Sequence, residues 1–85
     1  MAQVIVTFKV MPTGTDVDLD KLEKDVRTSV NPERINREPI AFGLVALNVT
    51  VLVEDASGQL ESVENKLKAI NGVSEVEVTE ITRTL

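Results

Sequence analysis

The sequence predicts an α+β sandwich of element order βαββαβ: a four-stranded antiparallel sheet with two helices on one face. Three observations lead there. Four segments are rich in β-branched residues or alternate apolar with polar, two others repeat apolar residues at helical spacing, and turn-forming residues separate them all. The length of 85 residues bounds the answer to a single domain, residues 1–85, with one modest core.

The first strand is read over residues 3–11, QVIVTFKVM. Val4, Val6, Phe8 and Val10 share one face, and Ile5, Thr7, Lys9 and Met11 share the other. Both faces are partly apolar, which suits a central strand; Pro12 and Gly14 end it. Asp16 and Asp18 offer helix caps. Leu19, Leu22, Val26 and Val30 then mark an amphipathic helix over about residues 19–30, with Asp20–Lys24 and Glu23–Arg27 as supporting i,i+4 pairs and Asn31-Pro32 as the stop. Residues 34–42, RINREPIAF, form a weaker strand; Pro39 cannot donate to a ladder, so this strand belongs at an edge. Gly43 makes the turn into the strongest strand, Leu44 to Glu54, where Leu47, Val49, Val51 and Val53 share a face. Ser57 is a candidate cap for a second amphipathic helix carrying Leu60, Val63, Leu67 and Ile70, supported by Glu64–Lys68 and stopped at Asn71-Gly72. In the last strand Val76 and Val78 oppose Glu75 and Glu77, and the acids at 75, 77 and 80 suit an edge guarded against aggregation. The two most apolar strands, the first and third, take the middle of the sheet. This is the ferredoxin-like arrangement.

Composition excludes several functions. There is no Cys and no His, which removes thiol and imidazole catalysis and any ordinary zinc or copper site. The amino terminus has no basic start followed by a long apolar segment, and no apolar run reaches a membrane span, so a cytoplasmic protein without membrane contact is expected. A net charge of −5 and an aromatic content of 2% leave neither basic patches nor stacking residues for direct nucleic-acid binding. An acidic domain is better matched to a basic protein partner.

The search for chemistry is also negative. The first loop, MPTGTDVD, lacks the Cys-x-x-Cys of metal-carrying domains of this fold. Asp16, Asp18 and Asp20 have the spacing of a calcium loop, but no Gly follows at its sixth position and Arg27 holds the twelfth, so they read as capping residues. There is no Arg in residues 1–26 to cradle an anion after the first strand, as a phosphatase of this fold would need. Asn48 stands mid-strand without a basic neighbour. Phe8 alone does not make an RNA-recognition surface, and nothing pairs a nucleophile with a base. The glutamates at 61, 64, 75, 77 and 80 read as solvated faces. The expectation is a binding module rather than an enzyme, with no cofactor, no metal and no catalytic residue. One class of binding module on this fold is the ligand-sensing regulatory domain, which is kept as the alternative.

One stretch is not explained by folding alone. Residues 37–47 read REPIAFGLVAL, with a proline, a glycine and one of two phenylalanines inside five positions. The longer segment Pro39 to Asp55, PIAFGLVALNVTVLVED, resembles the central motif of the translation elongation factor 1-beta family of guanine nucleotide exchange factors: a proline, a small or apolar pair, Phe or Tyr, Gly, then an apolar strand ending Val-Glu-Asp. VIVTFKVMP, DVDLDKLEKDV and GVSEVEVTEI resemble the archaeal branch, so the likeness covers nearly the whole chain; PIAFGL with VED is its most specific part. The resemblance implies the ferredoxin-like fold reached above. It also implies GDP-to-GTP exchange on elongation factor 1-alpha, the GTPase that brings aminoacyl-tRNA to the ribosome. By the same resemblance, the factor binds the GTPase domain and the adjoining β-barrel domain and disturbs the magnesium and phosphate region. Partner-binding residues implied are Pro39, Ile40, Phe42 and Gly43 at the turn, and Arg83, Thr84 and Leu85 at the carboxyl end. The free protein is expected to be a monomer. At that end the chain departs from the family: eukaryotic members finish in Lys-Leu, whereas Thr84 stands at the lysine position and Arg83 beside it.

Overall fold

The computed structural model describes residues 3–54 and 59–84. The order is β1 (Gln3–Pro12), α1 (Leu19–Val30), β2 (Arg34–Pro39), β3 (Val45–Glu54), α2 (Gln59–Lys68) and β4 (Val73–Thr84). All three strand pairings are antiparallel, in the order β2-β3-β1-β4. The two most apolar strands do lie in the middle, and the strand ending in Pro39 and the glutamate-rich strand lie at the edges. The fold is the ferredoxin-like α+β sandwich.

Alternation decides which face is covered. Val4, Val6, Phe8 and Val10 of β1 are buried together with Leu47, Val49, Val51 and Val53 of β3. Leu22 and Val26 of α1, Leu67 of α2 and Ile70, which lies just past the end of α2 and not in the helix as its spacing suggested, complete the same cluster, so both helices cover one face. Phe8 is fully buried and sits opposite Val49. Side chains of this size each contribute about 1.5–3 kcal/mol when removed from water. The opposite face stays open: Ile5, Thr7, Lys9, Asn48 and Thr50 are only partly covered. There the hydroxyls of Thr7 and Thr50 meet across the β1–β3 ladder at 3.4 Å. Among the described residues no helix is long and apolar enough to cross a membrane.

Strand β4 is irregular in two places, and a hydroxyl fills each. Its register against β1 shifts between Thr7 and Phe8, leaving Thr79 outside the ladder, and between Met11 and Pro12, leaving Ser74 outside. Thr79 Oγ1 donates to the Thr7 carbonyl at 3.2 Å, and Ser74 Oγ lies 3.1 Å from the Pro12 carbonyl and 3.3 Å from that of Met11.

Several sequence expectations need adjusting. Of the two capping candidates, Asp18 is the N-cap of α1: its carboxylate accepts from the backbone N–H groups of Asp20 and Lys21 at 3.1 and 3.3 Å. Asn31 closes the helix in the left-handed region at φ 48°. The ion pairs on α1 are not the expected ones. Asp20 and Glu23 both turn to Arg37 of β2, and Lys21 pairs with Asp25 at 3.3 Å. A guanidinium fork arriving from a neighbouring strand outcompetes weak same-helix pairs. Glu64–Lys68 forms as expected, at 2.8 Å. Strand β1 runs one residue further, through Pro12, because Pro12 still pairs with Val73. The second strand stops at Pro39 instead of continuing to Phe42, and β3 begins at Val45. Ser57 lies outside the described residues.

Three substitutions test this account by urea unfolding. Leu67→Ala, at a fully buried site, should cost about 2–5 kcal/mol. Asp18→Ala should cost roughly 1 kcal/mol through loss of the cap, whereas Asp16→Ala should stay within about 0.5 kcal/mol of the wild type.

Candidate functional site

The turn between β2 and β3 is the feature that folding alone does not account for. Pro39 ends β2 opposite Val45. The Ile40 N–H donates to the Leu44 carbonyl at 2.8 Å, and the Leu44 N–H returns to the Ala41 carbonyl at 3.2 Å. Ala41–Leu44 form a tight turn closed by the second of these bonds. Phe42 stands at its apex with φ 62° and ψ 29°, followed by Gly43 at φ 76°. Two successive residues in the left-handed region reverse the chain tightly.

Gly43 suits that region, and a Cβ there would meet only Thr15 Cγ2 at 3.7 Å, an ordinary contact. Its need is conformational, not spatial. Phe42 has no such licence. A non-glycine residue in the left-handed region costs about 1–2 kcal/mol. The residue is 94% exposed, which forgoes the roughly 1.5–3 kcal/mol that burial would supply. The strain costs the free chain stability and the exposed ring returns none, and the two coincide on one side chain. That combination makes Phe42 the candidate contact residue of the turn.

The turn offers no group for acid–base chemistry. Residues 40–44, Ile-Ala-Phe-Gly-Leu, contain no titratable group. Among the described residues no group of His, Cys, Asp or Glu is placed to hold a metal. The nearest charged network is structural. Arg37, on the helix-facing side of β2 opposite Leu47, donates from Nε to the Glu23 carboxylate and from Nη2 to that of Asp20. These bonds, to Glu23 first and Asp20 second, raise the Arg37 pKa further above its already high ordinary value, so the guanidinium stays charged. On the other face of β2, Asn48 Nδ2 donates to Glu38 Oε1 at 3.0 Å.

The residues singled out from the sequence fall into two separate groups. Pro39, Ile40, Phe42 and Gly43 lie together at the turn. Arg83 pairs with Val4 and Thr84 with Gln3, at the opposite end of the sheet; Leu85 lies outside the described residues. Gln3 also pairs with Glu54, the last residue of β3, whereas the turn precedes Val45, its first. Ten residues of strand therefore separate the groups, about 30 Å at roughly 3.3 Å per residue. The structure does not bring them together, and the long dimension of the molecule is 42 Å. Two features of the site escaped the sequence reading. The left-handed Phe42 had only the following glycine as a signal. The Arg37 link had none, because its partners lie 14 and 17 residues away.

Comparison with known proteins gives a consistent result. A family model described as the EF-1 guanine nucleotide exchange domain matches residues 5–84. A protein named elongation factor 1-beta from Methanothermobacter thermautotrophicus is 49% identical, with 100% of both chains covered. One of the same name from Methanosphaera stadtmanae is 40% identical, again over 100% of both chains. Another, from Natronomonas pharaonis, is 40% identical over 98% of this chain and 99% of its own.

Relief of the strain at the turn should be measurable. Phe42→Asn, which tolerates the left-handed region and removes no buried surface, should raise the unfolding free energy by about 0.5–1 kcal/mol. Gly43→Ala should lower it by about 1 kcal/mol. A substantial loss of stability in Phe42→Asn would instead make the ring part of the core.

Proposed function

The chain belongs to the elongation factor 1-beta family of guanine nucleotide exchange domains, and from that membership we propose that it promotes release of GDP from elongation factor 1-alpha through the Phe42 turn. The observation that carries the proposal is the exposed, strained Phe42, at the position where the family motif has its aromatic. A role in nucleotide exchange during translation elongation follows from the family.

Exchange of this kind needs no acid, base or nucleophile. It needs binding energy that favours the nucleotide-free GTPase. Linkage makes the effect reciprocal: whatever weakens nucleotide when the factor is bound weakens the factor when nucleotide is bound. Accelerating release about a thousandfold means lowering its barrier by roughly 4 kcal/mol. Burial of one phenylalanine contributes about 1.5–3 kcal/mol, so Phe42 is a principal anchor but not a sufficient one. Pro39 and Ile40 hold the approach to the turn, and the carboxyl end supplies a second contact. An elongated body with contact points about 30 Å apart suits a partner engaged on two domains. In this reading the turn meets one domain and Arg83 works at the phosphate end of the other, with Thr84 and Leu85 completing the tail. The factor acts as a cytoplasmic monomer that binds neither nucleic acid nor membrane.

Release of a fluorescent GDP from an archaeal elongation factor 1-alpha, with and without the chain, is the direct test. The wild-type chain should accelerate release. Phe42→Ala should weaken the effect roughly 10- to 100-fold with its circular dichroism unchanged, and Arg83→Ala should lower the maximal rate. If the wild-type chain binds the GTPase and leaves release unchanged, the exchange reading fails and a ligand-sensing domain takes its place.

A further inference from the structure

Strand β2 carries the Phe42 turn, yet little holds it. It is an edge strand, hydrogen-bonded to β3 alone. Its one apolar side chain packed against the core is the half-buried Ile35. Pro39, its last residue, has no N–H to give. Apolar packing therefore does little to fix the direction in which the far end of β2 points.

Charged side chains act at the two positions just before Pro39, one on each face. Glu38 accepts from Asn48 on the open side. Arg37, on the helix side, bridges Glu23 and Asp20, which lie three residues apart on α1. A planar guanidinium held by two carboxylates resists both sliding and rotation, as a single point charge does not. Exposed ion pairs add little to global stability. The consequence of this network is therefore orientation: it links the free edge of the sheet to a helix anchored in the core by Leu22 and Val26.

We propose that Arg37 is a positioning residue for nucleotide exchange, tethering β2 to α1 and so aiming the Phe42 turn at the partner. The functional half of this proposal rests on the exchange reading; the tether itself does not. Arg37 makes no contact with the nucleotide and takes no part in its release except through the turn.

The test uses the full chain with Arg37→Ala and Arg37→Lys, in wild-type and Phe42→Ala backgrounds. In the free protein, amide hydrogen exchange at Ile40 and Leu44 should speed up about three- to tenfold in Arg37→Ala, while Val6 and Phe8 keep wild-type protection. In the GDP-release assay, the concentration giving half-maximal acceleration should rise about three- to tenfold with the maximal rate retained. Arg37→Lys, which keeps the charge and loses the fork, should fall between. In the Phe42→Ala background Arg37→Ala should add almost nothing, because both act through one element. Unchanged exchange at Ile40 and Leu44, or a full additional loss on top of Phe42→Ala, would overturn the proposal. If the wild-type chain does not accelerate GDP release at all, the exchange reading falls, and the amide measurement alone decides whether Arg37 holds the turn.

Discussion

Phe8 faces Val49 across the middle of the sheet, with Val6 against Val51 and Val10 against Leu47 on either side. This antiparallel pairing of β1 with β3 sets much of the rest. It buries one face of the two central strands and so fixes where α1 and α2 must pack. It leaves β2 and β4 at the edges. Because β3 runs against β1, the β2–β3 turn falls beside the end of β1, near Thr15, while β4 finishes beside the start of β1. The separation of the Phe42 turn from the carboxyl end is thus a result of core pairing, not of any property of the two ends.

Much of this was legible in the sequence because it rests on periodicity. Alternation at Val4, Val6, Phe8 and Val10 named the covered face, and the spacing of Leu19, Leu22, Val26 and Val30 placed α1 at its observed bounds. What escaped depends on contacts remote in sequence or on single dihedral angles. Asp20 and Glu23 look like i,i+4 partners of Lys24 and Arg27 until the fold delivers Arg37 to them. Residues 40–42 look like strand because Ile and Phe favour strands. The turn overrides that preference, since Pro39 ends the ladder and two left-handed residues are needed to reverse the chain. The two hydroxyls at Ser74 and Thr79 read as ordinary strand residues, because a register shift leaves no trace in alternation. Of the candidate site, Phe42 and Gly43 could be named from the motif, but the strain that makes Phe42 distinctive could not.

The energetic character of the turn follows from comparing magnitudes. The core side chains stabilise the free chain, and each loses heavily on truncation. Phe42 does not: it adds strain worth about a kilocalorie or more per mole, and its exposed ring returns no burial energy. Natural chains tolerate such a residue where function requires it and stability elsewhere can carry it. That pattern supports the binding role proposed for the turn, and it accords with membership of a guanine nucleotide exchange family.

The turn conformation also bears on how quickly a complex can form. The hydrogen bonds between Ile40, Ala41 and Leu44 hold Phe42 outward before any partner arrives. An encounter then needs no loop to reorganise, and association is governed by diffusion, by orientation of the two surfaces and by the field of an acidic chain. That arrangement suits the exchange role proposed above, in which the chain must engage its partner and leave it again. In that role rapid arrival gives useful occupancy without long residence, and by linkage returning nucleotide favours dissociation of the complex.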